Sequence, residues 1–205
     1  ADEWAVAFNR LCRSHGFLPG PGLQQRNLFD EVVRPFTTER GTTALFMVDA
    51  LRYEMAAQLF DELASTPAST VQLKARLAEL PTVTEVGMNV LAPVCSHGKL
   101  SPALSSPDGG IIQGFGTGEY RVFDPKTRQR AMQERVGGAT CPKLTLAEVT
   151  NSSSSSLKRS IAQAKLVIVH SQEIDDAGEK GVGLHVFDQV LQGLRASWHL
   201  LREAG

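Results

Sequence analysis

Cysteine is scarce, and what there is stands far apart. Cys12, Cys95 and Cys141 are odd in number and form no CxxC pair. That argues against a disulfide framework and a thiolate zinc site, and for a reducing compartment. No apolar run approaches the roughly 20 residues that span a bilayer, and no secretory leader is visible. Charge of one sign is not in excess: 21 Lys and Arg face 22 Asp and Glu, a formal net charge of −1. No global basic field therefore announces nucleic acid or an anionic membrane. Gly114, Gly116 and Gly118 do not make a GxGxxG, and no helix pattern follows them. That argues against a dinucleotide loop.

What remains is an ordinary globular composition. The chain has 205 residues, 42% hydrophobic and 21% charged. That suits one sizeable domain with a real core, or one domain plus a small insert; with the reducing compartment read from the cysteines, a cytoplasmic protein is expected. It begins at Ala1 without a Met and ends at Glu203-Ala204-Gly205, which reads as a fragment of a longer protein.

The organising stretch is Thr43–Arg52, TALFMVDALR. Ala44 to Val48 is an unbroken apolar run, the pattern of a strand buried on both faces of a parallel sheet. Asp49 follows at its carboxyl end, where open α/β sheets place their ligands. The alternative is that Asp49 only caps the next helix. That helix is expected from Arg52 to Ser65, with Met55, Leu59 and Leu63 inward. Arg52 in its first turn either holds an anionic ligand or pairs with a surface acid.

Other segments follow in order. Ala1–Ser14 carries Trp4, Phe8, Leu11 and Cys12 at helical spacing, and a second helix is expected from Leu23 or Gln24 to Arg34, stopped by Pro35. Val71, Leu73, Ala75 and Leu77 alternate with polar residues, the pattern of a strand with one wet face. In Leu80–Leu91, Thr84 opens a helix. It is either a plain cap, in competition with Thr82, or a nucleophile at a helix N-terminus that needs a metal or base to activate it. Asn89 follows as a surface residue or a weak candidate for substrate contact. Ile111–Phe115 and Tyr120–Phe123 suggest a hairpin around Gly116-Thr117-Gly118. Lys126–Arg135 is basic and either touches an anion or forms a solvated helix face. Ser152–Ser156 reads as a flexible loop. Leu166–Val169 is a second buried-strand run, and His170 to Glu179 places metal-competent side chains after it. That stretch is a ligand loop or a solvated acidic one. Leu184–Glu203 is a long amphipathic helix on which His185 and His199 read as structural.

VDALRYEM, LPTVTEVGMNVL and VIVHSQEIDDAGEKG, taken together, resemble the PglZ domain of BREX and Pgl phage-defence systems, a branch of the alkaline phosphatase superfamily. The resemblance covers about residues 25–205. It implies an α/β fold: a mostly parallel central sheet with helices on both faces, an alkaline-phosphatase-like core truncated at its C-terminus. The implied divisions are an N-terminal helical segment or linker at 1–40, core at 41–95, an irregular insertion at 96–156 and core again at 157–205.

The resemblance also implies a chemistry. Asp49 and Thr84 would bind one divalent ion, and Asp175 would bind a second with the residue four positions on. The superfamily has His at that place, and this chain has Glu179. Zn²⁺ is the expected ion, with Mn²⁺ or Mg²⁺ as alternatives, and Thr84 the expected nucleophile toward a phosphoester, with a nucleotide or nucleic acid as candidates. The remaining ligands of the superfamily would lie beyond Gly205, so the piece alone should bind metal weakly and turn over little. Other BREX or Pgl proteins are the expected partners, and no membrane. The rival expectation is a catalytically weak or inactive scaffold that docks other defence proteins.

Overall fold

The computed structural model describes residues 2–94, 100–107, 109–138, 140–181 and 185–205. Its centre is a parallel three-stranded sheet in the order β1-β6-β5, formed by β1 (Thr43–Val48), β5 (Lys143–Thr145) and β6 (Leu166–Ser171). β1 and β6 run in register from Thr43 opposite Leu166 to Val48 opposite Ser171. The ladder continues one step further, because the Asp49 N–H donates to the Ser171 carbonyl at 2.9 Å.

β6 is the strand buried on both faces: all six residues are buried. Its alternation divides the core. Leu166 and Ile168 face one cluster, with Met47, Val86, Val90, Ala131 and Met132. Val167 and Val169 face the other, with Leu157, Ile161, Leu191 and Leu194. β1 was expected to be buried on both faces as well. Among the described residues it is instead an edge strand, half-buried along most of its length, because it pairs there with β6 alone.

The second cluster is covered by α6 (Leu146–Asn151), α7 (Ser154–Ile161), α8 (Glu173–Glu179) and α9 (His185–Ala204), with α3 (Tyr53–Ala64) beside α9. The first is covered by α4 (Thr84–Gly87), α5 (Pro125–Arg135) and an antiparallel meander of β2 (Ser101–Leu104), β3 (Ile112–Gly116) and β4 (Arg121–Val122). Helices thus lie on both faces of a parallel sheet, as expected. The β3–β4 hairpin was legible in the sequence, whereas β2 was not. Gly114 is required in it, since a Cβ there would collide with the Val122 and Phe123 backbone. Within 96–156, residues Lys143–Asn151 supply β5 and α6 to the central sheet and its cover, while the meander and α5 precede them.

Several local expectations fail for identifiable reasons. The helix expected from 23 or 24 to 34 is two short 3₁₀ turns and a π-helical turn, Phe29–Val33, which runs into α2 (Arg34–Thr37). Pro35 does not stop it. It sits in the first turn of α2, directly after the π-helical turn. Val71–Leu77 forms no strand, because among the described residues it has no partner beyond one bridge from Leu77 to Gln24. Arg76, expected on a wet face, pairs with Glu31 at 2.7 Å. The serine run is no loop: Ser153 caps α7 by accepting from the Ser156 N–H, and buried Leu157 and Ile161 hold the helix to the core. The acidic stretch after β6 is a helix, α8, anchored by buried Ile174 and Ala177. α1 (Asp2–His15) forms where periodicity puts it, yet buries none of its residues, and Trp4 is 82% exposed. Cys12 and Cys141 are free thiols, and Cys95 and the 95/96 boundary lie outside the described residues.

A candidate phosphoester site at the carboxyl end of the sheet

Asp49 lies at the carboxyl end of β1 and is 7% exposed. It does not cap α3, whose cap position is Arg52 with no side-chain bond. Its Oδ1 accepts the Ala50 N–H at 3.0 Å, and Ala50 takes a left-handed conformation, φ 57°, that alanine rarely adopts. Its Oδ2 is buried with no hydrogen-bond partner. Burial first, and then the like charge of Asp175, push the Asp49 carboxyl above its ordinary value of 3.8. The Ala50 N–H, the Thr84 hydroxyl and the Arg128 charge pull the other way. Thr84 thus stands close to Asp49 without satisfying Oδ2.

Thr84 is the first residue of α4, and neither it nor Thr82 caps the helix; Val83 holds the cap position. The Thr84 side chain is therefore not spent on a cap bond. Asp175, half-buried on α8, completes a group of three around the sheet end. These are the residues on which the sequence reading converged, and the chain does bring them together.

Arg52 and Glu179 sit further out. Together with Ala50, Met55, Asp175 and Phe187 they line a cleft of about 360 Å³ beside Asp49. Both are exposed, and Glu179 shares a face of α8 with Asp175 by its four-residue spacing. Asn89 behaves otherwise. It is wholly buried, donates to the Glu85 carbonyl at 2.6 Å and the Phe123 carbonyl at 3.2 Å, and accepts from Arg128 Nη1 at 2.8 Å. Both its donors are spent inside the protein.

Two residues of this region entered the sequence reading only inside longer stretches, Arg128 in the basic run Lys126–Arg135 and His170 in the metal-competent stretch after β6. Arg128, 6% exposed, comes from α5, which a capping box between Asp124 and Thr127 starts at the right place. It shares the inward stripe of Ala131 and Met132, three and four positions on, which is the signal that marks it. His170, 8% exposed, ends the row of Leu166 and Ile168 on β6. Burial, then Arg128 and Lys143, push its imidazole below 6.5, against an opposing pull from Glu173. Nearby, the Ser171 hydroxyl donates to the Glu173 carboxylate.

Among the described residues no group of three or more His, Cys, Asp or Glu side chains converges as a metal cage. The donor set nevertheless fits part of a divalent cation's shell. Two carboxylates and a hydroxyl meet there, and a buried carboxylate oxygen without a partner is what a cation would satisfy. Among the described residues no helix is long and apolar enough to cross a membrane.

Comparison with known proteins identifies a family. Residues 28–203 match the BREX system PglZ alkaline phosphatase-like domain. Over 100 residues the chain is 37% identical to the alkaline phosphatase-like protein BrxZ of Escherichia coli O9:H4 (strain HS). That match covers 47% of this chain and 11% of the relative, so the chain corresponds to a small part of that protein. No solved structure matches. With the parallel sheet, the acid after its first strand and the matched span in agreement, the chain belongs to the family of the BREX system PglZ alkaline phosphatase-like domain.

Proposed function

We propose that this chain carries the reaction centre of a metal-dependent phosphoester hydrolase in a phage-defence system. The observation that carries the reading is the unpartnered, buried Oδ2 of Asp49, set beside the Thr84 hydroxyl and facing the charge of Asp175. Asp49 and Thr84 hold one divalent cation; Asp175, with Glu179 on the same helix face, offers ligands to a second. This all-oxygen set suits Mn²⁺ and Mg²⁺, and its carboxylates also bind Zn²⁺. A bound cation supplies Lewis acidity, which lowers the pKa of a hydroxyl and neutralises charge on phosphoryl oxygens.

The chain's own part is positioning. The Thr84 Oγ1 forms a bond to phosphorus as the bond to the leaving alcohol breaks, and its proton passes to a base or solvent. Water then cleaves the phosphothreonine, releasing phosphate or a phosphomonoester and restoring the hydroxyl. Arg52, at the mouth of the cleft, attracts the anionic substrate.

The full-length protein that contains this chain, with added Zn²⁺ or Mn²⁺, should hydrolyse a nitrophenyl phosphodiester, and Thr84→Ala in it should abolish turnover. Undiminished turnover in that variant would remove Thr84 from the mechanism. The exposure of Glu179, in the place where the superfamily has His, favours a second reading: a scaffold that keeps the fold and docks other defence proteins. Capture of those proteins that survives Asp49→Ala and Thr84→Ala, with defence intact, would support the scaffold.

A further inference from the structure

A second polar group lies deeper on the same side of the sheet. Strand alternation puts Asp49 in the row of Leu45 and Met47, and His170 in the adjacent row of Leu166 and Ile168. Met47 pairs directly with His170. α5 covers this face through Ala131 and Met132, and Arg128 occupies the same stripe of that helix. Arg128 and His170 are both more than nine-tenths buried.

Their hydrogen bonding is incomplete. Among the described residues the Arg128 side chain makes one hydrogen bond, to Asn89, and the His170 imidazole makes none. A buried Arg that serves structure normally forms a two-pronged pair with a carboxylate. Here neither Asp49 nor Asp124 accepts a hydrogen bond from Arg128, although both charges act on it. Asn89 does what a structural acid would otherwise do: it fixes the guanidinium, but leaves its charge and remaining donors free. Its own two bonds tie Arg128 to the Glu85 carbonyl of α4 and to the Phe123 carbonyl before α5. Thr84 begins that same α4. The alcohol and the guanidinium are thereby set by one buried amide.

We propose that Arg128 and His170 form an oxyanion site beneath the Asp49–Thr84 rim, which receives the non-bridging oxygens of a phosphoryl group, with Asn89 as the residue that positions Arg128. Arg128 brings the charge and the fork geometry. His170, kept neutral by burial, brings a single N–H donor without adding a second charge. This rests on the reading of the chain as a phosphoester hydrolase.

Inorganic phosphate titrated into the protein by calorimetry tests the site without turnover. Arg128→Met and His170→Leu should each weaken phosphate binding about 10- to 100-fold. Arg128→Lys, which keeps charge but not the fork, should recover part of the loss. Asn89→Ala should weaken phosphate binding and raise KM more than it lowers kcat, which a merely structural change would not separate. Far-UV circular dichroism shows whether each variant folds, and where Arg128→Met fails to fold, Arg128→Lys and His170→Gln carry the comparison. Unchanged phosphate affinity in the folded variants overturns the site, as does a wild type that binds no phosphate. Loss of Zn²⁺ rather than phosphate from His170→Leu makes His170 a metal ligand and overturns it too. The two readings fail separately. Turnover lost in Thr84→Ala with phosphate affinity intact in Arg128→Met refutes only the oxyanion site. The reverse pattern refutes only the nucleophile.

Discussion

Asp49→Asn separates what the residue does for stability from what it does for ligands. The carboxylate is buried, its Oδ2 has no partner, and Asp175 adds a like charge. Leaving such a buried acceptor unsatisfied costs about 1–3 kcal/mol. Asparagine keeps an oxygen for the Ala50 N–H, removes the charge and turns an amide toward Asp175 and Thr84. Without metal, the variant should be the more stable protein by about 1–2 kcal/mol, or about 2–8 °C in Tm for a chain of this size. The pH dependence has a definite sign. The folded-state pKa of Asp49 lies above 3.8, so between the two values the folded protein holds a proton that the unfolded chain has released. Stability therefore falls as pH rises across that interval, and the deficit is complete above the raised value. The advantage of Asp49→Asn should be full at neutral pH and shrink as pH falls toward 3.8. Thermal unfolding in chelator, followed by circular dichroism over a pH series, measures it. Added Zn²⁺ should raise the wild-type Tm and leave the variant's unmoved. A variant less stable than wild type in chelator at neutral pH would refute the argument, since the carboxylate would then be held by favourable partners and not kept for a ligand.

Two further outcomes concern the neighbouring strand. The His170 pKa lies below 6.5, so on the acid side of that value the unfolded chain takes a proton that the folded protein refuses. The stability attached to neutral His170 is full above 6.5 and is lost as pH falls through the folded value, hence His170→Gln should flatten the decline in urea midpoint there. An equal slope in both proteins would refute this. Leu166→Ala, at a wholly buried position of the central strand, should cost about 2–5 kcal/mol, while Val32→Ala on the exposed side of the π-helical turn should stay within about 0.5 kcal/mol. Denaturant titration of both separates the core from its margin.

Local pattern and sequence resemblance carried much of the outline. Two apolar runs became β1 and β6 because a run of β-branched and aliphatic residues has few other places to go. Asp49, Thr84 and Asp175 were legible because each stands at the end or start of a regular element, where the signal is local. The amphipathic stripes of α3 and α9 were legible for the same reason. That β6 and not β1 would be the buried strand was not legible, since an apolar run does not state how many neighbours it has. Val71–Leu77 alternates like a strand and lacks one, because a ladder needs a partner that alternation cannot supply. Arg128 and His170 lie 42 residues apart, one in a run that reads as basic and the other in a stretch that reads as metal-competent after the second apolar run. Only the packing of α5 onto one face of the sheet decided that they meet beside Asp49. A charge in a basic helix looks solvated until tertiary contacts take the water away, and burial is a property of the fold and not of the residue.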